Sequence, residues 1–328
     1  MNNNRLVALT ACLILATVPG ISSLILADIA SETDTKGEQH FEKANELRKA
    51  GDYDAAITEY KKAISLSPKS KIGQDAQYWI GQSYFEARQF DAALSAFQKL
   101  LDEHPASTIA PSTKQMIERV QQARKNKSLF EAVKKADVEQ VKLLIAEGAD
   151  IDAKWVDVYN KNEEDPWSSD SEKTALRHAV KTGNIEVVKL LVEAGADVNA
   201  GEWTPLFQAV DENNTAIAEY LIDHGANVNI EYPQGWTILN QTVNISNSSE
   251  MAELLIVRGA DINGGDWPLL RTAIRHNRRD LFDLLVQRGV DVNAADKGGW
   301  TPLWYAANFQ DDTEFMNILI AKGAELNI

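Results

Sequence analysis

Cysteine is almost absent from this sequence, which has one, Cys12, in 328 residues. A single thiol cannot form an intrachain disulfide or a cysteine-based metal site, so packing alone must stabilise the fold. The sequence also lacks the Gly-x-Ser-x-Gly, His-Glu-x-x-His and phosphate-loop motifs. The five histidines show no metal-ligand spacing: His40, His104, His178, His224 and His276. These absences argue against an enzyme, and they predict no cofactor, metal or catalytic residue.

Long apolar runs are absent except at the N-terminus, where Arg5 precedes the apolar run of residues 6–27. This pattern is typical of an export signal, so we assign residues 1–30 to export or membrane anchoring and predict a periplasmic protein. The candidate cleavage site at the end of the run matches the small-x-small pattern imperfectly, because Ile25 is not small. An uncleaved anchor remains open, because the run is just long enough to span a bilayer. Residues 9–12 match a lipobox by letter but come too early in the run for lipidation to be preferred.

Basic residues are too few to balance the acidic ones, and the formal net charge is -15 at pH 7. Residues 1–126 contain 15 basic and 15 acidic side chains, so the whole excess lies in residues 127–328. An acidic surface repels nucleic acid and anionic lipid, which excludes nucleic acid as a partner and limits membrane contact to the N-terminal segment. The same surface attracts basic proteins, but acidity that serves only solubility is the alternative, and composition does not separate the two.

Internal repeats are the strongest positive signal in the sequence. A first unit places small, aromatic and proline residues at helical spacing, at Ala44, Leu47, Gly51, Tyr53, Ala56, Tyr60, Ala63 and Pro68. A second unit repeats the pattern at Gly81, Tyr84, Arg88, Phe90, Ala93, Phe97, Leu100 and Pro105. Small residues let paired helices approach closely, aromatic rings fill the groove between them, and each proline ends a second helix.

These two units resemble tetratricopeptide repeats, with Arg88 at a turn position that usually holds glycine. We predict that they form a domain over residues 37–125, closed by a third helix at residues 110–125. The second unit, residues 75–107, is similar to repeats of the periplasmic coordinator of the Tol-Pal envelope system. The resemblance implies a bacterial envelope location and does not identify a partner.

A different unit occupies residues 127–328. A loop of the Gly-Ala-Asp-Val-Asn type returns at Gly148, Gly195, Gly225, Gly259, Gly289 and Gly323. Helix starts lie between these loops, at Thr174, Thr204, Thr237, Pro268 and Thr301. Threonine caps a helix, proline fits its first turn, and glycine allows the left-handed stop after the second helix. This segment is identified as a member of the ankyrin repeat family, with about six repeats.

Two departures from the ankyrin pattern carry structural information. The family's histidine after Thr-Pro-Leu is missing, so its hydrogen bonds between neighbouring turns are not predicted here; the position holds Arg177, Phe207, Asn240, Arg271 and Trp304. After the first interval of 47 residues, the loop glycines are spaced by 30, 34, 30 and 34 residues. Long and short finger loops should therefore alternate along the array.

Aromatic residues form the first candidate for partner binding. Tryptophan precedes four helix starts, at Trp203, Trp236, Trp267 and Trp300. Trp304 lies one turn into the first helix of the last repeat. Equivalent positions align in a stack of repeats, and tryptophan is a frequent interface anchor. The alternative is a ladder that is buried between repeats and stabilises the array, because both arrangements have the same sequence period.

An insertion at residues 154–173 is the second candidate. It accounts for the long first interval and carries Trp155, Tyr159 and Trp167 beside acidic residues. Insertions in such arrays lie on the finger side, where loops contact partners, although a loop without a role has the same appearance.

Together these features predict an all-α solenoid, a short tetratricopeptide array followed by ankyrin repeats with finger loops. The leading functional hypothesis is a non-enzymatic scaffold of the bacterial envelope, in which the ankyrin concave face binds one protein and the tetratricopeptide groove a second. The alternative is a periplasmic immunity protein that blocks a delivered toxin.

Overall fold

The computed structural model describes residues 21–154, 174–243, 249–309 and 313–326. The chain divides into two compact units, Met1–Arg124 and Lys125–Ile328. Within the described ranges, helices make up nearly all of the regular structure, with one short two-stranded ladder. The all-α repeat architecture predicted from the two sequence periods is confirmed.

Residues 21–134 form five helices, which belong to the first unit and its boundary with the second. They are α1 (Ile21–Lys49), α2 (Tyr53–Leu66), α3 (Lys71–Glu86), α4 (Phe90–Glu103) and α5 (Ala110–Lys134). Helix α2 begins where the Asp52 carboxylate accepts a hydrogen bond from the Ala55 N–H at 3.1 Å. Helix α5 contains the boundary between the units and runs nine residues past the end of the closing helix predicted at residues 110–125.

Close helix packing in the first unit depends on glycine and aromatic residues at the repeat positions. A Cβ atom added to Gly81 would lie 2.6 Å from the Phe97 ring, which is fully buried. Any side chain at Gly81 would therefore force α3 away from α4. Arg88, at the turn position that usually holds glycine, adopts a φ of 58°, so this turn keeps its left-handed conformation despite the Cβ.

The second unit continues with paired short helices. After α5 they are α6 (Val138–Ala146), α7 (Ala175–Lys181), α8 (Ile185–Glu193), α9 (Pro205–Asp211), α10 (Thr215–Asp223), α11 (Ile238–Val243), α12 (Ser249–Val257), α13 (Leu269–Arg275), α14 (Arg279–Gln287), α15 (Pro302–Phe309) and α16 (Glu314–Ala321). One apolar core runs through all of them, from Leu129 to Ala324. No single pair of helices could bury its apolar face alone, so stacking of neighbours stabilises the array.

The helix ends follow the predicted chemistry. The Thr204 hydroxyl accepts a hydrogen bond from the Phe207 N–H at the start of α9, and the Asn214 side chain accepts one from the Ile217 N–H at the start of α10. Gly225, just after α10, has a φ of 93°, which only glycine adopts without strain. These caps confirm the start and stop signals identified in the sequence.

Finger loops connect each second helix to the first helix of the next repeat. The long finger before α11 forms a ladder of β1 (Glu231–Tyr232) and β2 (Trp236–Thr237), antiparallel with Tyr232 opposite Trp236. The other long finger, before α15, closes with a hydrogen bond from the Asp296 N–H to the Trp300 carbonyl at 3.0 Å. The short fingers before α9 and α13 have no strand. Long and short fingers alternate as the spacing predicts.

Hydrogen bonds from side chains connect successive loops. The Asn199 amide accepts a hydrogen bond from the Asn227 N–H at 2.8 Å and donates one to the Gly225 carbonyl at 3.1 Å. The equivalent acceptor positions along the array are Asn126, Asp152, Asn199, Asn229, Asn263 and Asn293. This row satisfies backbone groups of successive loops, so it sets the orientation of the fingers.

Two regions with sequence predictions lie outside the described residues. Residues 1–20 hold most of the predicted export signal, and residues 155–173 hold Trp155, Tyr159 and Trp167. Among the helices within the described ranges, none combines the length and the apolar character needed to cross a bilayer.

Candidate protein-binding surface

The five described tryptophans of the array lie on the finger side. Trp203, Trp236, Trp267 and Trp300 end the fingers before the first helices α9, α11, α13 and α15, and Trp304 lies in the first turn of α15. Four of them are half-buried, whereas Trp300 is 42% exposed. They form three groups rather than one continuous row, and each group has its own chemistry.

The first group is the Trp203 cluster, formed by Trp203, Phe207 and Tyr232. Tyr232 reaches back from the next finger, and its ring stacks on Trp203 with centroids 5.1 Å apart and planes 6° apart. Its hydroxyl is 2.9 Å from the Thr204 hydroxyl, and burial raises the pKa of Tyr232 to about 12. The cluster joins two successive repeats and leaves Tyr232 only 4% exposed.

The second group places Trp236 against Trp267 across two fingers, with ring centroids 6.3 Å apart in an edge-to-face arrangement. Asn240, at the position of the family's histidine, is fully buried beneath them. Its amide oxygen accepts from the Thr237 N–H at 2.8 Å, and its amide nitrogen donates to the Trp267 carbonyl at 2.8 Å. The second of these hydrogen bonds joins neighbouring turns, so at this repeat asparagine makes the kind of contact that the missing histidine left unpredicted.

Arg271, the equivalent residue one repeat later, lies between two aromatic rings. Its guanidinium carbon is 4.6 Å from the Trp267 ring centroid and 4.9 Å from that of Tyr305. Its Nε is 3.2 Å from an Asp296 carboxylate oxygen, and both side chains are about nine-tenths buried. The carboxylate and the two rings offset part of the cost of burying this cation, so removing any one of them would leave the charge of Arg271 less well compensated.

Asp296 stays ionised inside this arrangement. Burial acts to raise the pKa of its carboxyl, but hydrogen bonds oppose that effect. They come from the Tyr305 hydroxyl, at 2.8 Å, and from the Trp300 and Gly298 N–H groups. With Arg271 adding an attractive charge, the pKa of Asp296 falls below its ordinary value.

The third group is the Trp300 pair, Trp300 and Trp304, at the last described first helix. Their ring centroids are 4.1 Å apart with planes tilted by 32°. Phe309 lies 5.9 Å from Trp304 on the same helix and is 52% exposed. Exposed aromatic rings in contact with each other are common at protein–protein interfaces.

A cleft of about 250 Å³ opens between the two fingers near Arg271, with Pro268 and Val290 among its apolar lining. Its three carboxylates are engaged within the chain: Lys297 Nζ is 2.6 Å from Asp266, Asp296 is paired with Arg271, and Asp291 accepts a hydrogen bond from the Asn293 N–H at 2.9 Å. Within the described ranges, no group of His, Cys, Asp and Glu side chains is placed to hold a metal ion.

Charge is unevenly distributed along the array. Residues 175–243 contain nine acidic and three basic side chains, whereas residues 249–309 contain eight acidic and seven basic ones. Within the later stretch Arg279 pairs with Asp283 and Arg288 with Glu253, whereas Arg258 pairs with Glu219 and Asp223 of the earlier one. The earlier repeats are therefore the strongly acidic part of the described array.

Five residues of this surface were not identified from the sequence: Tyr232, Arg271, Asp296, Tyr305 and Phe309. Aligning each tryptophan with the residue four positions later exposes part of the signal, because the second position varies as Phe207, Asn240, Arg271 and Trp304. Each of these side chains meets a different neighbour, which the alignment alone does not show.

Comparisons with known proteins agree with this architecture. The model for ankyrin repeats (3 copies) matches residues 129–232 and 233–328, together more than half of the chain, and that for the tetratricopeptide repeat matches residues 41–108. A crystal structure of an ankyrin repeat domain from Acinetobacter baumannii AYE is 28% identical, with a TM-score of 0.51. The match covers 60% of this chain and 98% of that domain. No curated protein matches.

Both repeat types are characteristic of proteins that bind other proteins, and no catalytic family matches. The chain belongs to the ankyrin repeat family and carries a tetratricopeptide repeat ahead of its ankyrin array.

Proposed function

We propose that the chain is a scaffold of the bacterial cell envelope, whose ankyrin array binds a basic protein on its finger side. The observation that carries this proposal is the combination of an acidic stretch, residues 175–243, with exposed rings at Trp300 and Phe309. The acidic stretch accelerates encounter with a basic partner, and the rings supply buried contact area once it is bound. The tetratricopeptide groove is left for a second protein.

The envelope location rests on the predicted signal in residues 1–30 and on the likeness of residues 75–107 to periplasmic repeats. Contact with the membrane would then occur only through an uncleaved N-terminal segment.

The test is capture of partners by the full chain from the native periplasm at several salt concentrations. The finger variant E202K/E231K and the control variant E186K/E193K change the net charge equally, but the control changes exposed residues on the second helix α8. We expect a basic partner whose capture falls with rising salt and falls further for the finger variant alone. Equal loss in both variants, or capture of acidic proteins only, would contradict the proposal. One basic partner held very tightly would favour the immunity alternative.

A further inference from the structure

A five-residue motif occurs twice in the array, as Trp-Thr-Pro-Leu-Phe at residues 203–207 and Trp-Thr-Pro-Leu-Trp at residues 300–304. The two copies share the same helix-capping hydrogen bond. The Thr204 hydroxyl accepts from the Phe207 N–H at 3.3 Å, and the Thr301 hydroxyl accepts from the Trp304 N–H at 3.3 Å. The two rings of each copy lie together, with centroids 4.6 Å apart in the first and 4.1 Å apart in the second.

The first copy shows which kind of side chain packs against the two rings of the motif. Tyr232, carried by the β1–β2 hairpin of the next finger, stacks on Trp203 and contacts Phe207 with ring centroids 4.9 Å apart. Its hydroxyl meets the Thr204 hydroxyl, which also accepts the helix-capping hydrogen bond. One tyrosine side chain on a tight hairpin thus fills the motif and becomes almost completely buried.

The second copy has the same threonine cap, but Trp304 takes the place of Phe207, and the planes of its two rings are 32° apart rather than 55°. Among the described residues, the rings that contact the Trp300 pair come from its own helix α15, namely Tyr305 and Phe309. Trp300 is 42% exposed, and its indole ring lies close to Gly298 of its own finger, since a Cβ atom added there would be 2.8 Å from the ring.

We propose that the Trp300 pair is a slot for a tyrosine side chain that a partner protein presents on a hairpin loop. The tyrosine ring stacks on Trp300 as Tyr232 stacks on Trp203, and its hydroxyl meets the Thr301 hydroxyl. This inference rests on the proposed function, because it specifies one contact that the partner makes on the finger side. Burial of an exposed tryptophan at the centre of a contact is among the largest single contributions to affinity, so loss of Trp300 should weaken binding at least tenfold.

The slot can be tested with the array's own hairpin as the probe. A cyclised, unlabelled peptide of residues 230–237 is titrated into the ¹⁵N-labelled full chain, and the tryptophan indole N–H signals are followed by NMR. We expect saturable shifts of the Trp300 and Trp304 signals, unchanged signals for Trp203, and at least tenfold weaker binding for the peptide with Tyr232→Ala. W300F should bind the peptide, whereas W300L and W300A should not, because leucine and alanine remove the stacking ring. W300L also preserves apolar bulk, so it separates stacking from a loss of folding.

Several results would overturn the inference. They are equal binding of both peptides, shifts confined to other tryptophans, or equal binding by W300L and W300F. A dimer of the chain that W300A abolishes would overturn it in favour of a second copy as occupant. If W300A captured the native partner as strongly as the wild type does, the slot would not be part of the interface, and the proposed function would still stand. The variant E202K/E231K tests that function separately.

Discussion

Asn240 offers the sharpest test of how neighbouring repeats are held together. It is fully buried, and its amide joins the Thr237 N–H of its own turn to the Trp267 carbonyl of the next repeat. Replacing it with leucine keeps the number and branching of the side-chain heavy atoms and removes these hydrogen bonds, together with the one that the amide oxygen accepts from the Thr237 hydroxyl at 2.8 Å. A buried polar group left unpaired costs about 1–3 kcal/mol. The Thr237 N–H and the Trp267 carbonyl both lose their partner, a combined cost of about 2–6 kcal/mol. Because both residues are half-buried, water can compensate part of this cost, so we expect N240L to lower the free energy of unfolding by about 3 kcal/mol.

Urea unfolding followed by tryptophan fluorescence measures this loss, because seven of the eight tryptophans belong to the ankyrin unit. N240D keeps the shape and the acceptor but removes the donor to the Trp267 carbonyl. We expect a comparable loss at pH 7, part of which is recovered at low pH, where the protonated carboxyl can donate again.

The matched control is Q241L at the neighbouring residue, whose amide donates to the exposed Asp211 at 2.7 Å. That hydrogen bond should be worth less than about 1 kcal/mol. A loss below about 1 kcal/mol for N240L, or an equal loss for Q241L, would refute the idea that the buried amide stabilises the contact between repeats.

Two further predictions concern other parts of the chain. Ala136 has a φ of 54°, so A136G should relieve left-handed strain and raise the free energy of unfolding by about 0.5–1 kcal/mol, partly offset by the freer unfolded chain. N213G, at the equivalent turn with a φ of 50°, should gain less because asparagine tolerates this conformation; equal gains in urea melts would exclude the explanation. Hydrogen bonds from Lys62, His40 and Lys43 lower the pKa of Glu59 to about 2 from 4.5, so its stabilisation is complete above pH 4.5 and is lost as the pH falls towards 2. A carboxyl ¹³C titration that placed the pKa of Glu59 near 4.5 would contradict this.

Much of the architecture was predictable because every repeat contains the same local signals for helix starts and turns. The helix starts at Thr174 and Thr204 and the loop glycines are local signals, since capping and left-handed turns depend on residues close in sequence. The alternation of long and short fingers also followed from spacing alone. The role of Arg88 as a left-handed residue was visible only as a departure from the pattern, and the φ of 58° shows that the turn is kept.

The sequence predicted where the candidate surface lies, but not which of its tryptophans are covered and which are exposed. Trp203 and Trp300 are equivalent in sequence, yet one is covered by Tyr232 and the other is 42% exposed. Which side chain covers a ring depends on contacts with the next repeat, such as that of Trp203 with Tyr232, and the sequence of one repeat does not reveal them. The same reason hid the enclosure of Arg271 between Trp267 and Tyr305, because a lone arginine on a first helix predicts a solvent-exposed charge.

The sequence by itself determined the two repeat families, their order, the helix caps and the place where the acidic charge accumulates. These properties depend on residue type and spacing within one repeat, so a single chain displays them directly. The tertiary structure alone decided which tryptophans hold repeats together and which remain open to a partner. That distinction depends on stacking between repeats, where a ring is either covered or exposed, and spacing along the chain is the same in both cases.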